Sequence, residues 1–261
     1  MIYKFCTQTN PGLARENNED AVKFDESTGV GILADGMGGY NAGEVASGMA
    51  TEFINSEMTR WLKEAGKQAG PREIHRALEI CVDNANLAIF NAANDNALDS
   101  GMWTTLVVAV FHGDTLLVGH IGDSRCYRLR KGEFVQITKD HSLLQEQIDA
   151  GLLTPEQAAI SLNKNLVTRA LGVDDSVILE INDHMVEPGD LYLMCSDGLS
   201  DMVQDAEIAK ILGMSIPLEQ RAKCLIDAAN AHGGRDNITV LLVKAEAAPA
   251  KRGLFARLLG K

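Results

Sequence analysis

Four aspartates stand where apolar runs meet glycine-rich turns. V-G-I-L-A-D-G-M-G-G over 30–39 carries Asp35, L-Y-L-M-C-S-D-G over 191–198 carries Asp197, and L-L-V-G-H-I-G-D over 116–123 carries Asp123. In the mirror-image case, G-G-R-D-N over 233–237 places Asp236 ahead of the apolar run 238–243. A lone aspartate after a strand is most simply a turn former. Four in one chain, two of them followed by glycine, point to carboxylates gathered at the rim of a rigid sheet. Such a cluster repels itself and raises its own pKa values unless cations hold it together, and hard oxygen ligands suit Mg²⁺ or Mn²⁺.

The segment R-E-N-N-E-D over 15–20 is a charged stretch between two strand patterns, most simply a solvated loop. Arg15 beside Glu19 and Asp20 also has the makings of a phosphate clamp next to metal ligands, because a guanidinium grips phosphate oxygens in a two-pronged geometry. The other reactive side chains fit chemistry less well. Cys195 is followed by no C-x₅-R phosphate loop, and Ser196 is expected to pack or hydrogen-bond beneath the site. His75, His112, His184 and His232 lack ligand spacing and read as surface or turn residues.

The elements that must position these groups follow from periodicity. Strands are expected over 2–9 and 21–24, and over 30–33, where the glycine of Asp35-Gly36 ends the run. Apolar positions at helical spacing predict helices over 44–62 and from Pro71 to about 89; so close together, they should pack antiparallel on one sheet face. Runs at 104–111, 115–121, 125–130 and 133–138, joined by tight turns, read as an antiparallel meander with Asp123 at its middle. Residues 142–170 turn polar, with short helical patterns at 142–150 and 155–160, and are placed as a flap over the sheet edge. Strands over 177–181, 190–195 and 238–243 and helices over 205–212 and 217–231 complete the series.

These patterns interleave without a linker, so the 261 residues, 46% of them hydrophobic, read as one domain spanning 1–245 followed by a basic, flexible tail over 246–261. A formal charge of −12 with scattered Lys and Arg argues against nucleic acid as a partner, and a phosphorylated substrate would need a locally positive site. The five cysteines are odd in number, free of any C-x-x-C pair and mostly within apolar runs, which suits buried thiols in a reducing compartment. The N-terminus lacks a signal-type core and no segment approaches the roughly 20 apolar residues that span a bilayer, so a cytoplasmic location is expected.

Taken in order, R-E-N-N-E-D at 15–20, L-A-D-G-M-G-G at 33–39, T-T-L at 104–106, I-G-D-S-R at 121–125, C-S-D-G-L-S-D at 195–201 and G-G-R-D-N-I-T-V at 233–240 resemble the motifs of the metal-dependent Ser/Thr protein phosphatases, the PPM or type 2C family. K-D-H-S at 139–142 ahead of a flap is closest to the bacterial members. The resemblance covers residues 3–244. It implies an α+β, four-layer αββα sandwich of two antiparallel β-sheets flanked by helices, with a small flap subdomain.

By the same resemblance, Asp35 bridges two Mn²⁺ or Mg²⁺ ions, the Gly36 carbonyl binds the second, and Asp197 and Asp236 bind the first. Asp123, with Asp197, holds a third and weaker ion. Glu19 stands where some members have a metal-binding glutamate and many bacterial ones a glutamine. Asp20 anchors a metal-bound water, Asn237 orients waters or Asp236, and Arg15 grips the substrate phosphate. The implied reaction is direct in-line hydrolysis of phosphoserine and phosphothreonine on proteins, opposing a Ser/Thr kinase, by a monomer. One position departs from the animal pattern: the histidine proposed there as general acid is Met37 here, which cannot donate a proton, leaving His141, a weak candidate that reads more simply as structural, or a water on the third ion. The competing readings are a catalytically silent phosphoprotein-binding module, which would lack an aspartate or Arg15, and a phosphoesterase acting on small phosphomolecules.

Overall fold

The computed structural model describes residues 1–39, 42–96, 99–154, 157 and 166–248. Two antiparallel sheets lie face to face between helices. One runs β1 (Ile2–Asn10), β11 (Ile238–Glu246), β10 (Leu191–Cys195), β7 (Arg125–Arg130), β8 (Glu133–Gln136) in spatial order. The other runs β2 (Asp20–Asp25), β3 (Val30–Met37), β5 (Leu106–His112), β6 (Thr115–Ile121), β9 (Glu180–Met185), with the short β4 (Trp103–Thr104) on the end of β3.

Three apolar cores separate four layers. Tyr3, Phe5, Phe111 and Tyr192 join Leu33, Val107, Met194 and Leu241 between the sheets. On the outer face of the second sheet lie α1 (Ala42–Ala65) and α2 (Pro71–Asp95). The outer face of the first carries α4 (Asp197–Ser200), α5 (Asp205–Leu212) and α6 (Leu218–Ala231). The start of α1 buries only small side chains, Ala42, Gly43, Ala46, Ser47 and Ala50, which lets its backbone lie close to β3. At α2, Pro71 at the first position and the Glu73 carboxylate accepting the Gly70 N–H at 2.8 Å mark the start.

Several expectations change. The predicted meander is divided: β5 and β6 pair in one sheet, β7 and β8 in the other, and Gly122-Asp123-Ser124 carries the chain across. Period-two patterning reports burial of alternate residues but not which sheet receives them. The strand holding Asp35 does not end there but runs to Met37, because Gly36 and Met37 pair with Thr104 and Trp103. Gly36 meets a packing need instead of a turn, since a Cβ there would overlap the Gly43 carbonyl. The predicted strand over 177–181 is displaced to β9: Val177, Leu179 and Ile181 do pack on the helical core, but pairing to β6 begins only at Glu180. His184, expected at the surface or in a turn, lies in β9 as well.

The flap begins with α3 (Leu143–Asp149), capped by Ser142, whose Oγ accepts the Gln145 N–H. Ser142 bridges to Val167, the Leu143 N–H reaches the Leu166 carbonyl and the Thr168 N–H the His141 carbonyl, so both roots are tied together. The predicted helix over 155–160, apart from Gln157, and the basic end of the tail lie outside the described residues. Cys6, Cys81, Cys126 and Cys195 are free and buried, as their apolar surroundings led one to expect. No helix among the described residues is long and apolar enough to cross a membrane.

Candidate metal centre

The site is assembled at one end of the sandwich from both sheets. Asp35 is held by its own backbone: its N–H donates to Thr105 Oγ1 at 3.0 Å, and its carbonyl accepts the Thr105 N–H at 2.8 Å and the Thr104 hydroxyl at 2.9 Å. Thr105 Oγ1 also lies 2.8 Å from Ser124 Oγ, which ties this strand to the turn that carries Asp123. The T-T of the T-T-L motif therefore braces two aspartates at once.

Asp197 opens α4 directly after β10. Beneath it, Ser196 donates its hydroxyl to Asp20 Oδ2 at 2.7 Å and accepts the Thr239 N–H at 3.0 Å, the buried supporting role its position suggested. Gly198 is needed because a Cβ would overlap the Asn237 carbonyl. Asp236 stands ahead of β11, and Asn237 next to it is occupied entirely by protein: its Oδ1 accepts the Glu19 N–H at 2.7 Å, while its Nδ2 donates to the carbonyls of Pro11 and Asn17. Its backbone N–H meets Asp236 Oδ1 at 2.9 Å. Asn237 thus sets the 11–19 loop against Asp236, and its amide hydrogens are spent on that task.

Electrostatics bind these groups into one centre. Burial, then repulsion from Asp20, Asp197, Asp123 and Asp236, holds the Asp35 carboxyl well above the usual carboxylate range. Asp197 is raised by burial and by Asp123, Asp201 and Asp236, and burial lifts Asp123 to about 6. Asp20 is raised by burial too, although hydrogen bonds from Ser196 and Thr239 oppose it. Its Oδ1 is buried without a partner. Arg15 reaches the cluster from the loop, its Nη2 donating to Asp236 Oδ2 at 2.8 Å while half of the side chain remains exposed. Glu19 lies at the same edge, where its carboxylate accepts the Gly43 N–H at the start of α1; burial raises it and Arg15 opposes the rise.

Four carboxylates held in repulsion, Asp20, Asp35, Asp123 and Asp197, one of them with an orphaned oxygen, and Asp236 beside them fit divalent cations, which would reverse the upward shifts of those four. The structure brings together all the aspartates singled out from the sequence, with Arg15, Glu19 and Asn237 around them. What the sequence did not reveal is the bracing by Thr105 and Ser124, whose contact joins the Asp35 strand to the Asp123 turn. His120 was not singled out either, and it stacks on His141 beside the Asp123 turn.

The Protein phosphatase 2C family profile matches residues 14–234, and the chain belongs to that family. The serine/threonine phosphatase stp of Listeria innocua is 37% identical over 91% of this chain and 94% of its own length. Among solved structures, the serine/threonine phosphatase PstP/Ppp of Mycobacterium tuberculosis superposes with a TM-score of 0.87 at 36% identity, covering 95% of this chain and all of that one. The catalytic domain of a serine threonine protein phosphatase PstP, described in complex with two manganese ions, superposes with a TM-score of 0.79 at 37% identity over 94% of this chain and 99% of its own.

Proposed function

We propose that this chain is a divalent-metal-dependent protein phosphatase that hydrolyses phosphoserine and phosphothreonine on proteins. The observation that carries this is the cluster of Asp20, Asp35, Asp123 and Asp197 with the partly exposed Asp236 and the Arg15 guanidinium at its mouth. The relatives' names and the manganese in one of them support the same reading.

Asp35, the Gly36 carbonyl, Asp197 and Asp236 are the groups we assign to two Mn²⁺ or Mg²⁺ ions, with Asp123 and Asp197 for a third, weaker one and Glu19 at the margin. When bound, such ions lower the pKa of a coordinated water and offset phosphoryl charge. The remaining work belongs to the chain. Arg15 projects half-exposed from the loop, where it holds the incoming phosphate. The free Oδ1 of Asp20 accepts a proton-bearing ligand within the site and so orients water for attack. Asn237 fixes Asp236 and the Arg15 loop relative to one another. Met37, 46% exposed at the end of β3, offers no proton, and His141 is turned onto Gly122 and Glu180, so neither serves as general acid.

The catalytic unit is residues 1–245, acting as a monomer on the products of a Ser/Thr kinase. Phosphate release from a phosphothreonine peptide, with Mn²⁺ and then with excess chelator, beside the Asp236→Asn variant, tests the reading. Release sensitive to both supports it; none with metal present overturns it in favour of a silent phosphoprotein-binding module.

A further inference from the structure

The turn Gly122 to Arg125, which presents Asp123, is gripped from one side by Lys139-Asp140-His141. Arg125 reaches both oxygens of Asp140, its Nη2 at 2.7 Å from Oδ2, and His120 Nε2 lies 2.7 Å from the Lys139 carbonyl. His141 holds Gly122 twice. Its backbone N–H donates to the Gly122 carbonyl at 2.9 Å, and its ring Nδ1 accepts the Gly122 N–H at 3.2 Å. The far ring nitrogen, Nε2, faces Glu180 Oε2 at 3.2 Å.

Two histidines and a glutamate so placed invite an ion. Among the described residues it is this trio, and not any three of the aspartates, whose possible ligand atoms all lie within 4.8 Å of one another, and His120 Nδ1 is buried without a partner. The hydrogen bonds decide against it. Because Nδ1 of His141 receives an N–H, the neutral ring carries its proton on Nε2 and donates it to Glu180. A histidine ligand needs the opposite arrangement, with the coordinating nitrogen bare and the other one donating. The stacked rings of His120 and His141, 4.7 Å between centroids and 15° from parallel, also aim poorly at a common point.

We infer that His141 is a positioning residue for the weaker cation site, acting through Gly122 on Asp123; this rests on the assignment of Asp123 as a ligand of that site. Gly122 sits at a φ of +100°, and the space where a Cβ would point is filled by Thr105, so the path that presents Asp123 is open to glycine alone, a residue whose own backbone is the least restricted of any. Glu180 fixes the His141 ring, the ring and backbone fix Gly122, and Asp123 follows. The His141 carbonyl also accepts the Thr168 N–H at 2.9 Å, and the next residue caps α3, so the same clamp joins the flap's root to Asp123.

The test compares His141→Asn, His141→Leu, Asp123→Asn and the double variant Asp123→Asn/His141→Leu by calorimetric Mn²⁺ titration of chelator-stripped protein, by kcat and KM on a phosphothreonine peptide, and by Tm. Asparagine keeps an acceptor, Oδ1, near the place of Nδ1; leucine fills the space without one. His141→Leu should weaken the weakest Mn²⁺ binding event by about tenfold or more while leaving the tighter ones unchanged, and should lower kcat more than it raises KM. His141→Asn should restore most of both, and His141→Leu should add nothing once Asp123 is asparagine. Equal behaviour of the two His141 variants, or additive losses in the double variant, overturns the inference. If Asp123→Asn itself leaves the titration unchanged, the assignment of Asp123 fails and the inference falls with it; if Asp123→Asn removes the weak event and His141→Leu does not, only the inference falls.

Discussion

Asp20 and Asp35 stand directly opposite one another across β2 and β3, and each carboxyl is pushed above the usual carboxylate range, first by burial and then by the charges around it. Like charges facing each other on a sheet are destabilising, and burial makes these two worse. The pairing is tolerable only with a shared proton or a cation between them and their neighbours, so pH and metal should be interchangeable stabilisers of this fold.

The sign follows from the raised folded-state pKa values. Asp35, Asp20, Asp197 and Asp123 all bind protons more tightly folded than unfolded, so they favour the fold at low pH, and that contribution is lost as pH rises from about 4 through the folded values, about 6 for Asp123. Chelator-treated protein should therefore melt higher near pH 5.5 than at pH 8, and Mn²⁺ should raise Tm far more at pH 8. A flat Tm across this range, with and without Mn²⁺, would contradict the repulsive cluster.

Asp35→Asn, Asp197→Asn and Asp236→Asn should each cut phosphatase activity by about a hundredfold or more, since each removes charge at the reacting centre. In chelator the Asp35→Asn and Asp197→Asn proteins should match or exceed the wild-type Tm, because each relieves repulsion. Paired kinetics and thermal scans check both halves, and near-wild-type rates in all three would remove the site assignment.

Arg15→Ala should lower kcat/KM for a phosphopeptide by about 10- to 100-fold, the worth of a charge-assisted hydrogen bond of about 1.5–3 kcal/mol. The loss should appear mainly in KM if Arg15 grips phosphate in the ground state. Steady-state kinetics at saturating Mn²⁺ separates this from an effect through Asp236, with which Arg15 also pairs.

Thr105→Val removes the acceptor for the Asp35 N–H and the contact with Ser124 while keeping the side-chain shape. Leaving a buried N–H unsatisfied costs about 1–3 kcal/mol, so denaturant unfolding should show that loss of stability, with reduced kcat beside it. Unchanged stability would mean that the T-T-L motif is not the brace described here.

Much of the site was legible from residue types, because metal chemistry needs carboxylates and a strand-to-turn junction is where a chain can expose one rigidly. Asp35, Asp123, Asp197 and Asp236 stand at such junctions, and local hydrophobic periodicity also set the extents of α5 and α6 almost to the residue. The four layers came from the motif resemblance and not from periodicity, and only the tertiary structure divided the meander at Asp123. Alternation says that a residue is buried but not against which partner. The same limit hid the contacts of Gly36, Thr105 and His141, which lie across the sheets or beyond the next turn. The sequence by itself determined which carboxylates are candidates for the site; the packing of β3 against α1 and β5, and the crossing from β6 to β7, decided that they meet, because repelling charges converge only where backbone hydrogen bonds and buried surface hold them.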